Sequence, residues 1–547
     1  MKQINVEQPC LIQTAFGRHK RVFHEIKNSK WLFLLVVFPV SLNVLGKPNL
    51  DFSLSVEEIY SDDVFRTDQP PAGESQRDSF ISVLSPSFSI SDQGANTDYR
   101  LNYQYRYNHY SNSGVDDRNQ NELNASINRF VLNRSLRLYA IGTISNGRNQ
   151  LSEQANDGLS GEELTETRSL QSGLAFQSGE RKWHNTSSNL SYKKFSTSLN
   201  DEDEDIFSGQ FTTANGSGSQ NLFWTMQGNA SKDSSHNQTE RYEGQWGLNF
   251  WHDLAFFIQG DYENNTPNGQ DEINSEFSNA GAGLRYKTAK TLLALAYNRE
   301  LTEGGDDFVS VDASWDPTPR TSLSGSYSRR FFGEAYQFKF SHRAKRLSNN
   351  LSYTDSVTSF SRESQTLGFG FLVCPAGKVT DLTGCFVPTS TNPELDDTQQ
   401  LVGFQTPILS ISDELSLVRS LSHYTSYSKG KSSFTWNTFW NRSKSLAQGL
   451  VNNQDYTSSI GSGLSWSYTP NTRTNLALSG GWNTNESEQN STNEPGYDDL
   501  FVRLSLTRNL SKKLIGSISY TYDERDAEDD LNSYKENRIG LSFTANL

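Results

Sequence analysis

The side chains of this chain that could act on a ligand are charged residues placed at every second position. In "YRLNYQYRYNHY" (99–110), Arg100 and Arg106 alternate with Tyr and Leu, and other segments repeat this spacing. Side chains of a β-strand alternate between its two faces, so this spacing puts charge on one face and apolar groups on the other. Such a face can contact polar solutes through mixed charge. The residues that we assign to it are Arg100, Arg106, Arg137, Arg241, Glu243, Asp261, Arg285, Asp312, Lys339 and Arg503.

Catalytic chemistry has no comparable support in the sequence. No HExxH, GxSxG or phosphate-binding glycine motif is present, and the eight His are dispersed. The acidic runs "NDEDED" (200–205) and "DERDAEDD" (523–530) are typical of solvated loops, with a divalent-cation site as the alternative. We predict no catalytic residue, no metal and no cofactor, and therefore no enzyme. A Ser–His pair across neighbouring strands stays open as an alternative.

The N-terminus predicts export. The basic stretch 17–30 precedes the apolar stretch "WLFLLVVFPVSLNVLG" (31–46), which favours a cleaved signal peptide over residues 1–46. Cys374 and Cys385 then remain in "LVCPAGKVTDLTGCFV" (372–387), which we expect to be irregular. An even pair in an exported chain predicts a disulfide, and without a nearby His or further Cys a metal site is disfavoured.

Composition narrows the class of protein. The 547 residues are 34% hydrophobic and 12% aromatic, with a mean hydropathy of −0.66 and a formal net charge of −14. The acidic balance argues against a nucleic-acid partner, and the aromatic content argues against disorder. Many aromatics with few aliphatic residues indicate strands that have a single apolar face.

The connections between the strand-like segments alternate between short turns and longer acidic or Asn-rich loops. Short turns include "FWHDL" (250–254) and "KTAKT" (287–291), and "NGRNQLSEQANDGLSGEE" (146–163) is a long loop. This pattern is typical of an outer-membrane β-barrel with periplasmic turns and extracellular loops. We predict an all-β, transmembrane, antiparallel barrel of about 24 strands (20 to 26), filling residues 47–547 as one domain with a long loop at 355–412. A secreted β-sandwich array or a β-solenoid is the alternative.

The last residues form a strand with a sharp division between its faces. In "NRIGLSFTANL" (537–547) the outward face carries Ile539, Leu541, Phe543, Ala545 and Leu547. A closed barrel needs its last strand to pair with its first, for which "LDFSLSVEEIY" (50–60) is the candidate. An alternating terminal strand also suits recognition by the outer-membrane barrel assembly machinery.

Two stretches resemble a known family. "LSVEEIYSDDVFRTDQ" (54–69) with "RDSFISVLSPSFSIS" (77–91), and the segment around Cys374 and Cys385 with the residues that follow it, are similar to β-barrel porins associated with PEP-CTERM and exopolysaccharide systems. The resemblance implies an outer-membrane barrel of a Gram-negative bacterium, often encoded near exopolysaccharide genes. It implies no catalytic residues.

The sequence is compatible with three functions. The first is a channel for exopolysaccharide export or for polar solutes, in which the ten charged residues face the lumen and the segment 355–412 folds inward. The second is a non-conducting barrel that anchors polysaccharide or partners at the surface, and the third is a membrane-embedded enzyme. The expected partners are outer-membrane lipid, lipopolysaccharide, the assembly machinery, exopolysaccharide and periplasmic export proteins.

Overall fold

The computed structural model describes residues 48–66, 77–112, 114–147, 165–178, 183–198, 203–219, 221–234, 237–266, 276–302, 305–358, 364–375, 399–410, 416–446, 456–488, 496–528 and 533–547. Within these ranges the chain forms 26 β-strands, as its alternating pattern predicts. They are β1 (Asn49–Ser61), β2 (Ser79–Gln93), β3 (Thr97–Tyr110), β4 (Arg118–Val131), β5 (Leu136–Gly147), β6 (Thr165–Gln177), β7 (His184–Thr197), β8 (Glu204–Asn215), β9 (Leu222–Asp233), β10 (Gln238–Trp251), β11 (Leu254–Thr266), β12 (Phe277–Lys287), β13 (Thr291–Glu300), β14 (Phe308–Thr318), β15 (Thr321–Arg330), β16 (Gly333–Arg343), β17 (Leu347–Thr358), β18 (Ser364–Pro375), β19 (Gln399–Ser410), β20 (Ser416–Lys429), β21 (Ser432–Ser445), β22 (Tyr456–Asn471), β23 (Thr474–Glu488), β24 (Tyr497–Asn509), β25 (Leu514–Ala527) and β26 (Tyr534–Asn546).

Twenty-four of the described strands form one antiparallel sheet that closes on itself. Each barrel strand pairs with its neighbours in sequence, except that β17 pairs directly with β20. The intervening strands β18 and β19 pair only with each other. The predicted all-β barrel of about 24 strands is confirmed.

The barrel closes where β1 meets β26. Their pairing runs from Ser53 opposite Asn546 to Ser61 opposite Arg538, and the Leu547 N–H donates to the Phe52 carbonyl at 2.8 Å. This ladder satisfies backbone groups that a free sheet edge would leave unpaired. It also explains why the sequence keeps its alternation up to the last residue.

The two ends of the barrel differ in the length of their connections. At the end where β1 begins and β26 ends, the barrel strands are joined by short turns such as 252–253, 319–320 and 430–431. At the opposite end the connections include the longer segments 267–276 and 359–415. Gly430 adopts a φ of +61°, which a side chain would strain, so glycine suits this two-residue turn. The barrel therefore has short turns at one end and longer loops at the other, as predicted.

The outer face of the barrel is apolar and exposed. Along β26, Ile539, Leu541 and Phe543 are each about half exposed, and similar rows occur on strands around the barrel, among them Trp246 on β10 and Leu504 on β24. A wall of such residues needs a lipid environment, because water-soluble surfaces seldom expose contiguous apolar area on this scale. The described part of the chain contains no helix that is long and apolar enough to cross a membrane.

The segment predicted as a long irregular loop is partly regular. Residues 355–358 belong to β17, and 364–375 and 399–410 form the hairpin β18–β19. Sequence reasoning missed this hairpin because its strands carry a Pro and several Gly, which are weak strand formers. The backbone of Cys374 lies in β18, but Cys385 lies outside the described residues, as do the predicted signal peptide and residues 200–202 of the acidic run. Glu204 and Asp205 belong to β8, so the predicted loop is wrong for these two residues.

Candidate functional site

The inner wall of the barrel is the candidate site, and the ten charged residues assigned to one face all occupy its inward positions. Arg503, for example, alternates with the outward Leu504, and Arg137 alternates with the outward Leu138. The structure brings only some of them together. Arg241, Glu243 and Asp261 meet, whereas the other seven are spread over the wall.

The cluster on β10 and β11 is a compact set of paired charges. The Arg241 guanidinium contacts Glu243 and lies 3.7 Å from Asp261 Oδ1, and Gln227 donates to Glu243 at 2.6 Å. Glu263, further along β11, pairs with Arg330 of β15, whose Nε lies 2.9 Å from Glu263 Oε2. These ion pairs offset the desolvation free energy of the buried charges, which would be costly if each charge were buried alone.

Several other inward cations lie over aromatic rings. The Arg285 guanidinium is 4.0 Å from the centre of the Phe223 ring, and Arg137 lies 5.1 Å from that of Tyr139. Such contacts position a cation without cancelling its charge. Arg100, Asp312 and Lys339 are exposed to the lumen. These side chains can therefore meet a passing solute.

Inward aromatic residues sit opposite glycines of the neighbouring strand. The pairs include Phe223 with Gly247, Phe257 with Gly283, Phe439 with Gly461, Phe501 with Gly481 and Tyr139 with Gly173. A Cβ added to any of these glycines would fall within 3.0 Å of the ring. The rings thus lie over the glycine backbone and fill the wall without blocking the bore.

This packing limits which aromatic residues can contact a ligand. Phe257 is only 1% exposed and packs with Phe223, Ala255, Ala294 and Ala296. Phe223 and Phe257 therefore pack within the wall and are too buried to stack against a ligand.

Hydroxyl groups cover much of the remaining wall and bond to one another across neighbouring strands. Examples are Ser53 with Ser87, Ser517 with Ser542 and Ser352 with Ser422, each at 2.6 Å between oxygens, and Thr435 with Ser465. Our sequence analysis did not single these residues out. The signal was present, since "SVLSPSFSIS" (82–91) places Ser at every inward position from 85 to 91.

A buried ion cluster ties the segment that follows β1 to the last strand. The Glu536 carboxylate accepts from the Ser61 hydroxyl at 2.6 Å and from Arg66 Nε at 2.7 Å, and Arg538 Nε lies 3.4 Å away. Arg538 also pairs with Asp523 of β25. We call Arg66, Asp523, Glu536 and Arg538 the mouth cluster. It holds residues 62–66 against the inner wall near the opening at the long-loop end.

Two carboxyls in the loops near this opening have shifted pKa values. Burial raises the pKa of the Asp63 carboxyl, and the paired Arg77 guanidinium opposes that rise. At Asp117, partial burial alone would raise the pKa, but the Tyr107 hydroxyl at 2.7 Å and the His109 ring at 2.9 Å lower it. Asp117 therefore anchors the loop 111–117 to β3 in its ionised form.

The hairpin β18–β19 lies beside β21 and β22 without pairing with either strand. On those two strands the inward Phe439 and Ser459 are buried, whereas the outward Trp436 and Leu464 stay exposed. Burial on the inner side with exposure on the outer side favours a position of the hairpin inside the barrel.

No protein-family profile and no curated protein sequence matches the chain. Similar solved structures include the FrpB iron transporter from Neisseria meningitidis, with a TM-score of 0.45 and 10% identity over 92% of this chain and 82% of that one. The siderophore receptor PirA from Acinetobacter baumannii gives 0.37 and 10% over 91% and 80%, and OccK2 from Pseudomonas aeruginosa gives 0.30 and 9% over 91% and 98%. The fold assignment rests on the strand pairing described above and not on these loose similarities.

Proposed function

We propose that this chain is an outer-membrane channel for polar, hydroxyl-rich solutes, and that its cargo is a polysaccharide such as an exported exopolysaccharide. The observation that carries the proposal is the polar inner face of a closed wall of 24 strands. Barrels of 16 to 18 strands already enclose an aqueous channel, so a wall of this size leaves room for a solute beside the hairpin.

The chemistry of the wall supports a cargo that is contacted mainly through its hydroxyl groups. Many inward hydroxyls already bond to one another, and the cluster of Arg241, Glu243 and Asp261 is internally paired. Ion-selective pores instead present rings of one charge. A wall of hydroxyls and amides offers weak hydrogen bonds that form and break as a polyol moves.

Several partners belong to the same proposal. Lipid and lipopolysaccharide would cover the apolar outer face, and the barrel assembly machinery would receive β26. Periplasmic export proteins would dock at the short-turn end, where exopolysaccharide would arrive.

Planar-bilayer recording and liposome swelling test the channel. Purified, reconstituted protein should give discrete conductance steps, and liposomes that contain it should swell in neutral oligosaccharides at rates that fall with oligosaccharide length. A barrel that is folded in the bilayer but stays silent in both assays would favour the alternative, a surface anchor that holds polysaccharide without conducting it.

A further inference from the structure

Six inward residues on six consecutive strands form one continuous row. Each stands directly opposite the next in the strand pairing, in the order Arg137, Ala175, Asn189, Gln210, Asn229 and Arg241. Neighbouring strands are about 4.8 Å apart, so the three amides follow one another at close and regular intervals. We call Asn189, Gln210 and Asn229 the amide row.

The row climbs through the wall from one end of the barrel towards the other. Arg137 is the second residue of β5, next to a periplasmic turn, whereas Arg241 is the fourth residue of β10, close to the extracellular end. Gln210 lies between these levels, near the middle of β8. Because barrel strands are tilted, a row perpendicular to them crosses the membrane obliquely.

The amide row faces open space. A groove of about 730 Å³ runs along this wall and is lined by all three amides. Gln210 and Asn229 are exposed to it, and within the described part of the chain neither side chain has a hydrogen-bond partner. Asn189 is held in place by the Tyr139 hydroxyl, which donates to its Oδ1 at 2.9 Å. Tyr139 reaches this amide by crossing Gly173, where a Cβ would lie 2.7 Å from its ring.

The two ends of the row differ in charge. At the periplasmic end, Arg134 and Arg137 both line the groove, and among the described residues neither has a carboxylate partner. At the upper end, Arg241 is neutralised by Glu243 and Asp261. Of the two ends of the row, only the periplasmic one therefore carries positive charge without a paired carboxylate. A solute that enters from the periplasm would meet this end first.

We propose that the amide row with Arg134 and Arg137 is a binding track for an acidic oligosaccharide that enters from the periplasmic side, an inference that rests on the proposed channel function. Each amide carries both donors and acceptors, which matches the dual character of sugar hydroxyls. The inward Phe130 adds apolar surface to the groove for the face of a sugar ring. The two arginines bind the carboxylate, for which guanidinium groups are well suited.

The test uses two oligosaccharides with six rings each, hexagalacturonate and neutral maltohexaose, on the full-length barrel in planar bilayers and by calorimetry in detergent. We expect hexagalacturonate to bind more tightly than maltohexaose. The double variant Gln210→Ala/Asn229→Ala should weaken both sugars by at least about fivefold, the cost of one lost hydrogen bond, because directly paired residues need not contribute additively. Arg137→Gln should remove the preference for the acidic sugar.

The matched control is Gln337→Ala/Asn350→Ala, which removes two inward amides from β16 and β17 and should leave binding unchanged. Gln210→Met keeps the shape of the side chain, so a weakening there separates lost hydrogen bonds from misfolding. Equal affinity for the two sugars, or wild-type binding in the Gln210→Ala/Asn229→Ala variant, would overturn the proposal. A barrel that binds the sugars in detergent but does not conduct would support the binding track and refute the channel. A barrel that conducts but binds neither sugar would support the channel and refute the binding track.

Discussion

Replacing Glu536 with Gln tests the mouth cluster. The change keeps an oxygen that can accept from the Ser61 hydroxyl, but it removes the negative charge between Arg66 and Arg538. The Arg66 and Glu536 side chains are only 2% and 3% exposed, so water cannot replace the lost partner. We therefore expect the barrel to lose stability and residues 62–66 to detach from the wall.

The magnitude follows from burial and geometry. Breaking a buried ion pair from one side costs about 3–5 kcal/mol. Because Arg538 keeps Asp523 as a partner and Gln keeps the Ser61 contact, we expect the lower end, about 3 kcal/mol or roughly 150-fold in the unfolding equilibrium.

A urea titration in lipid vesicles, followed by tryptophan fluorescence, measures this loss. The matched control is Glu166→Gln, because Glu166 pairs with an Arg168 side chain that is 55% exposed. Such a pair is worth less than about 1 kcal/mol. If Glu536→Gln changed the unfolding free energy as little as Glu166→Gln does, the mouth cluster would not be a buried, stabilising unit.

Three further results are expected. Gly481→Val should push the Phe501 ring off the wall, because an added Cβ would lie 2.9 Å from it, and single-channel conductance should fall, whereas Gly480→Val on the outer face should leave conductance unchanged. The pKa of Asp117 is lowered in the folded protein, so its loop should stay anchored above the usual Asp range and loosen only as the pH falls through the lowered value. The noise of the single-channel current should therefore rise at low pH in the wild type and should already be high at neutral pH in Asp117→Asn. Current noise that does not change with pH in the wild type would contradict this. Replacing residues 364–410 with a short Gly-Ser linker should raise the single-channel conductance, because it removes the hairpin from the bore. An unchanged conductance would show that the hairpin does not lie inside the bore.

The fold was predictable because the period of two is a strong signal when each strand has one apolar and one polar face. The alternation of Ile539, Leu541 and Phe543 with small polar residues requires a strand, and the turn chemistry sets the order of the strands. The hairpin β18–β19 was not predictable in this way, because its strands are not part of the barrel sheet and each contains a Pro.

The site was predictable only in part. Parity assigns Arg241 and Asp261 to the inner face, but it cannot show that they meet while Arg503 stays apart. That outcome depends on strand register, and a shift of one residue would change every partner. The amide row is likewise a property of register, since Asn189, Gln210 and Asn229 lie far apart in the sequence and share no local motif.

Cysteine accessibility tests most directly whether lipid covers one face of these strands and water the other. In a background where Cys10, Cys374 and Cys385 are replaced by Ser, Arg503→Cys and Leu504→Cys differ only in the face that they occupy on β24. In proteoliposomes, a charged, membrane-impermeant thiol reagent should modify Arg503→Cys and spare Leu504→Cys. Equal modification of the two, or the reverse preference, would contradict a lipid-embedded barrel with a wet lumen.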